Sequence, residues 1–139
     1  MTRLGYQIPN FTYPGVGPAE LFDVVAAQAQ EADSSGFDTV LVMDHFYQLP
    51  MLGEPDQFML ECYSLLSALA RETKNVRLSA LVTGNTYRNP AVLAKMAATF
   101  DAARMAIPCR AHCVADAMCG TITTLVNFLR PGFIFGSFS

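Results

Sequence analysis

Asp44 and His45 are adjacent, and an imidazole beside a carboxylate can hold or hand on a proton near neutral pH. Forty residues on, Thr83, Gly84, Asn85 and Arg88 gather a hydroxyl, a flexible backbone, an amide and a guanidinium. Gln7 and Asn10 add two more amides near the start. Each also has a plain structural role. His45 reads as a surface or carbonyl-bonded histidine, or as an imidazole at the mouth of a site. Asp44 reads as a loop cap, or as a polar group at the same site mouth. Arg88 reads as a solvated charge, or as a fork meeting an anionic group at the start of the helix that follows. Cys109, His112, Cys113 and Cys119 are metal-ligating types, but their spacing fits no familiar zinc pattern, so no metal is expected. Gly15-Val16-Gly17 lacks the third glycine and the strand–turn–helix setting of a dinucleotide fingerprint, and no nucleophile elbow or phosphate loop is present.

The elements that must carry these groups alternate. Arg3–Ile8 reads as a strand closed by Pro9, and residues 9–18, with three prolines and two glycines, as a loop. Ala19–Ser35 spaces Leu21, Val24, Val25, Ala29 and Ala32 by threes and fours, the pattern of an amphipathic helix, and Gly36 is its left-handed stop. Phe37–Met43 is nearly continuous in apolar character toward its end, as in a strand covered on both faces. Asp56 is the expected cap of a second helix, whose stripe is Met59, Cys62, Leu65, Leu66 and Leu69. Val76–Thr83 is a third strand and Gly84–Asn89 a turn. Pro90 opens a helix that buries Val92, Leu93, Met96, Ala97 and Phe100. Strand–helix alternation predicts a parallel sheet in an α/β fold, either open with helices on both faces or part of a barrel with helices outside. In both cases the ligand belongs at the carboxyl ends of the strands, where Gln7, Asn10, Asp44, His45, Thr83, Gly84, Asn85 and Arg88 fall.

The chain has 139 residues, of which 52% are hydrophobic and 15% charged, a globular composition. Its net charge of −3 argues against nucleic acid or an anionic membrane as partner. No apolar run reaches the roughly 18 residues that span a bilayer. Four cysteines without an apolar leader do not describe a secreted disulfide scaffold, so a cytoplasmic protein is expected. The average conceals a seam. Residues 1–101 carry 11 acids and 6 bases, net −5, whereas residues 102–139 carry one acid, three arginines and three of the four cysteines, net +2.

Three segments carry a resemblance: GYQIPNF at 5–11, TVLVMDHF at 39–46 and SALVTGNTYRNPAVLAKMAATFD at 79–101. Over residues 3–101 the chain resembles the bacterial-luciferase-like oxidoreductases, nearest to the branch that uses the deazaflavin coenzyme F420. The resemblance implies a (β/α)8 TIM-type barrel, of which this chain would supply the N-terminal three to four βα units. It implies deazaflavin- or flavin-dependent hydride transfer or monooxygenation of a small-molecule substrate. By the same resemblance Asp44 and His45 lie against the tricyclic ring, with His45 hydrogen-bonding or shuttling a proton. Ala80 and Leu81 fall where F420-using members carry a non-proline cis peptide that bulges toward the ring, and Thr83 and Asn85 match residues that contact the ring edge or its side chain. Asp-His, in place of the Glu-His pair frequent in flavin-using relatives, tilts the cofactor toward F420, with FMN the alternative.

Two departures accompany it. A family barrel needs roughly 250 residues. After Asp101, where relatives read S-G-G-R-x-x-L-G-I-G-x-G-W, this chain reads AARMAIPCRAHCVADAMCG, and likeness returns only at residues 132–139. The expectation is therefore a family unit at 1–101 and an atypical tail at 102–139, either shifted in reading frame over residues 102–131 or a divergent fourth unit. Such a chain would be a partial, weakly active oxidoreductase, a homo-oligomer, or one completed by a second chain. The alternative is a non-catalytic remnant or interaction module that associates through open strand edges.

Overall fold

The computed structural model describes residues 3–105. In chain order it runs β1 (Gly5–Ile8), α1 (Leu21–Ser34), β2 (Thr39–Val42), α2 (Cys62–Glu72), β3 (Arg77–Ala80), a 3₁₀ turn (Asn85–Tyr87) and α3 (Pro90–Met105). Of the atypical tail, residues 102–105 are described; the cysteine and histidine group at 109–119 and everything else from residue 106 on lie outside the described residues.

The sheet is wholly parallel with order β1-β2-β3, so each new strand is laid beside its predecessor. Gly5–Ile8 pairs in register with Thr39–Val42, which pairs with Arg77–Ala80. Tyr6, Ile8, Val40, Val42, Leu78 and Ala80 share one face, and it packs on Val25, Ala29, Leu66, Leu69, Leu93 and Phe100 from all three helices in a single core cluster. Helices on one face only, over a sheet that grows in one direction, are the geometry of a barrel wall and not of a doubly wound sheet. Among the described residues the opposite face of the sheet is uncovered. Thr39 and Leu41 are half-buried there while Val40 and Val42 are fully buried, so β2 alternates. This corrects the expectation of a strand covered on both sides. The near-continuous apolar run reflects Leu41 facing what would be the interior of a closed barrel.

Local chemistry explains the element ends. Gly36 takes φ +83°, and Phe37 N–H returns to the Ala32 carbonyl at 3.2 Å, closing α1 with the six-to-one bond that only a left-handed residue permits. The start of α2 corrects the sequence expectation: its cap is Glu61, not Asp56. The Glu61 carboxylate accepts from Tyr63 N–H at 3.2 Å and Ser64 N–H at 2.7 Å, while residues 50–57 form turns. Aspartate is the statistically favoured cap, but glutamate can cap when something else fixes its longer arm; here Arg88 does so at 2.8 Å. The helix opened by Pro90 runs through Asp101 to Met105 without a break, its first N–H groups met by Asn89 Oδ1, 2.9 Å from Ala91 N.

At the amino ends of the strands, Asp33 sits in the last turn of α1, where the helix dipole disfavours a carboxylate. It is retained because it accepts from the backbone N–H groups of Lys74 (3.0 Å), Asn75 (2.7 Å) and Val76, the three residues that lead into β3. Asp33→Ala is expected to cost about 1–2 kcal/mol in urea unfolding, because it removes the acceptor of three backbone donors, of which that of Val76 is part-buried. A loss under about 0.5 kcal/mol would show that water takes the carboxylate's place.

Candidate functional site

The carboxyl ends of β2 and β3 are neighbours, and two polar segments leave them together. Leu81 N–H bonds the Val42 carbonyl at 2.8 Å, extending the pairing by one step. The peptide that follows, Leu81–Val82, is cis. This corrects the sequence expectation by one bond, since that peptide was placed at Ala80–Leu81. The backbone then turns at Thr83–Gly84, and Gly84 N–H donates to Asp44 Oδ2 at 2.9 Å. A Cβ at Gly84 would run into the Tyr87 ring, which would have to move.

Asp44 is buried, with a side chain 5% exposed, and its carboxylate is fully engaged. Oδ2 accepts from Gly84 N–H and from Arg88 Nε at 2.9 Å, and Oδ1 accepts from Arg88 Nη2. Its backbone carbonyl accepts from the Tyr87 hydroxyl. Arg88 Nη2 also reaches Glu61 Oε1 at 2.8 Å, which ties the cap of α2 to the same knot. The guanidinium lies 4.9 Å from the centre of the Tyr63 ring and 5.6 Å from that of Tyr87. Tyr63 in turn shares a 2.7 Å hydrogen bond with Thr83 Oγ1. The contacts therefore form a circuit from Asp44 through Arg88, Tyr63 and Thr83 to Gly84 and back to Asp44.

Protonation follows from these contacts. Hydrogen bonds from Arg88 to Asp44 raise the guanidinium's already high pKa; burial opposes this, and Glu61 reinforces it. Burial alone would raise Glu61, but hydrogen bonds from Ser64, Arg88 and Tyr63 N–H outweigh it and hold the carboxyl below its ordinary range. Burial pushes the Tyr63 phenol up to about 12 against the opposing Thr83 bond. The Cys62 thiol is raised by burial first, then by the charges of Asp44 and Glu61, so it stays protonated and does not act as a nucleophile.

His45 is half-buried and takes part in no hydrogen bond or ion pair with the described residues. The residue after it, Phe46, is 69% exposed, and beyond the end of β3 Val82 is 68% and Leu81 39% exposed; Phe46 and Tyr87 are in ring contact at 4.5 Å. Ala80 ends β3 half-buried against the core. Thr83 is half-buried, and Asn85 begins the 3₁₀ turn. Gln7 is exposed on the uncovered face of the sheet; Asn10 is half-buried, and its carbonyl accepts from the Tyr13 hydroxyl at 2.9 Å. Sequence reasoning thus placed Asp44, His45, Thr83 and Gly84 side by side, but it missed Glu61, Tyr63 and Tyr87. Tyr63 shares a helix face with Leu66 and Ala70, which makes it look like core, and nothing local marks its hydroxyl as a tie across to Thr83.

Residues 2–103 match the luciferase-like monooxygenase family. The chain belongs to that family. Among characterised relatives of this luciferase-like chain, pyrimidine monooxygenase RutA of Allorhizobium ampelinum is 34% identical over 112 residues, covering 73% of this chain and 29% of the relative. The F420-dependent glucose-6-phosphate dehydrogenase of Tsukamurella paurometabola is 33% identical over 94 residues, covering 67% of this chain and 25% of the relative. The chain thus spans between a quarter and a third of the curated relatives it matches. Two solved structures share the fold. One is the oxygenating constituent of 3,6-diketocamphane monooxygenase from Pseudomonas putida, a type II Baeyer-Villiger monooxygenase in complex with FMN, with TM-score 0.59 and 24% identity over 75% of this chain and 27% of that one. The other is apo-MsnO8, with TM-score 0.61 and 17% identity over 97% of this chain and 45% of that one. The three βα units are the corresponding part of the luciferase-like barrel.

Proposed function

We propose that this chain supplies the β2–β3 side of an oxidoreductase site for a deazaflavin or flavin, with coenzyme F420 first and FMN as the alternative. One observation carries the reading. Asp44-His45 and the Thr83–Asn85 turn leave adjacent parallel strands and are bonded to each other, Gly84 N to Asp44 Oδ2 at 2.9 Å, while His45 has no partner among the described residues. The chemistry of the donor set fits a tricyclic ring. Leu81 and Val82 offer an open apolar shelf, and the His45 imidazole and Thr83 hydroxyl offer polar groups beside it. When bound, the ring supplies the hydride acceptor or donor that none of the twenty side chains provides. Leu81 and Val82 exclude water from one side of the ring. His45 is positioned to hold or release a proton on a small-molecule substrate, and Asp44 is held away from that task by Arg88 and Gly84. Ala80 and Leu81 set the line of the shelf; Thr83 and Asn85 lie at its edge.

Titration of the chain with F420 and with FMN, followed by visible absorbance and fluorescence, tests this. Saturable binding of one of them is expected, weakened about tenfold or more in His45→Ala, the size of losing one good contact in a desolvated site. A second reading, an interaction module, is favoured by a separate observation: among the described residues β1 and β3 each leave one edge unpaired. Self-association on a sizing column with no binding of either cofactor would select it.

A further inference from the structure

We propose that Arg88 is the positioning residue of this site, fixing where His45 points by locking the Asp44 peptide to the Thr83–Tyr87 turn; the inference rests on the reading above. Among the described residues His45 has no hydrogen bond to orient it, so its direction is set by the backbone that delivers it. That backbone is gripped at Asp44 by both of its acceptors. The carboxylate is held by the Arg88 fork and Gly84 N–H, and the carbonyl that leads into His45 is held by the Tyr87 hydroxyl. All three donors come from one five-residue stretch, so anchoring Arg88 closes the turn on Asp44 as a unit.

Arginine is required by geometry as well as by charge. Nε and Nη2 meet the two oxygens of Asp44 side by side, Nη2 continues to Glu61 at 2.8 Å, and the flat group lies against the Tyr63 and Tyr87 rings. A lysine ammonium keeps the charge but cannot bridge two carboxylates while stacking on two rings. The side chain is only 13% exposed, so water does not readily substitute for it. Glu61 is the outer anchor: it touches Arg88 and the start of α2 but not the strand ends.

The test uses the whole chain with FMN and F420 as probes, and each variant's melting curve is recorded beside its binding curve. Arg88→Lys is expected to remain folded and to bind about tenfold more weakly, as expected for loss of a bidentate charged contact. In Arg88→Ala, added methylguanidine restores affinity and methylammonium does not, a rescue that a purely structural role would not show. Should either arginine variant fail to fold, Glu61→Gln decides: having lost the charged cap of α2 it melts somewhat lower, and with binding read well below that melting point it is expected to bind about two- to threefold more weakly, the scale of one half-exposed hydrogen bond. Unaltered affinity in Arg88→Lys or Glu61→Gln, or an Arg88→Ala chain that is folded but not rescued, overturns the positioning role while the cofactor reading stands. Binding of neither probe by the unaltered chain overturns that reading, and the positioning role with it.

Discussion

Replacing Asp44 by alanine is expected to destabilise the chain by about 3–5 kcal/mol, the cost of removing one partner from a buried ion pair. The magnitude follows from what is left behind. The Asp44 and Arg88 side chains are 5% and 13% exposed, so the arginine charge would remain in a low-dielectric setting with, among the described residues, the half-exposed Glu61 as its one carboxylate partner. Gly84 N–H would lose its acceptor as well. Asp44→Asn keeps the shape and one acceptor while losing the charge, and should cost about half as much. Urea unfolding reads both through the transition midpoint at constant slope. A loss under about 1 kcal/mol in Asp44→Ala would mean that the pair is screened like a surface bridge, and that the knot at the strand ends does not hold the fold.

The same residue shows how far the sequence could be read. Its place at the end of β2 followed from the β-branched run before it. Its nearness to Thr83 and Gly84 followed from parallel pairing of successive strands, because that topology puts every strand's exit on one rim. Neither inference needed side-chain detail. The identity of its partner did, since Arg88 is forty-four residues away and no spacing rule joins residues on different βα units. Both roles weighed for Arg88 assumed that its counterpart would be water or an anion at the following helix, yet the anion is a carboxylate of the chain itself. The cap of α2 was missed for a related reason. Capping preference favours Asp56 on local statistics, and Glu61 prevails because a tertiary contact from Arg88 and two backbone donors hold its longer side chain in place. Local rules thus gave the elements and the rim, while the contacts that convert the rim into a defined surface come from pairings distant in sequence.

Tyr63 is where those distant pairings meet, and it carries the second large effect. Tyr63→Ala is expected to cost about 3–5 kcal/mol, the usual range for emptying a buried aromatic site. The ring is 2% exposed, packs in the common core and faces the Arg88 guanidinium at 4.9 Å. Tyr63→Phe keeps the ring and removes the hydroxyl with its 2.7 Å bond to Thr83, so it should cost about 0.5–1.5 kcal/mol. The gap between the two separates packing from the hydroxyl tie. Alkaline titration separates them again. Burial pushes the phenol up to about 12 from its ordinary 10, so the folded state favours the neutral form. Stability from this group is therefore complete below pH 10 and is lost as pH rises from 10 through about 12. Tyr63→Phe has no proton to lose and should flatten that limb of the stability profile relative to the unaltered chain. If the two profiles fall in parallel above pH 10, the hydroxyl is solvated in solution and the bond to Thr83 is not maintained.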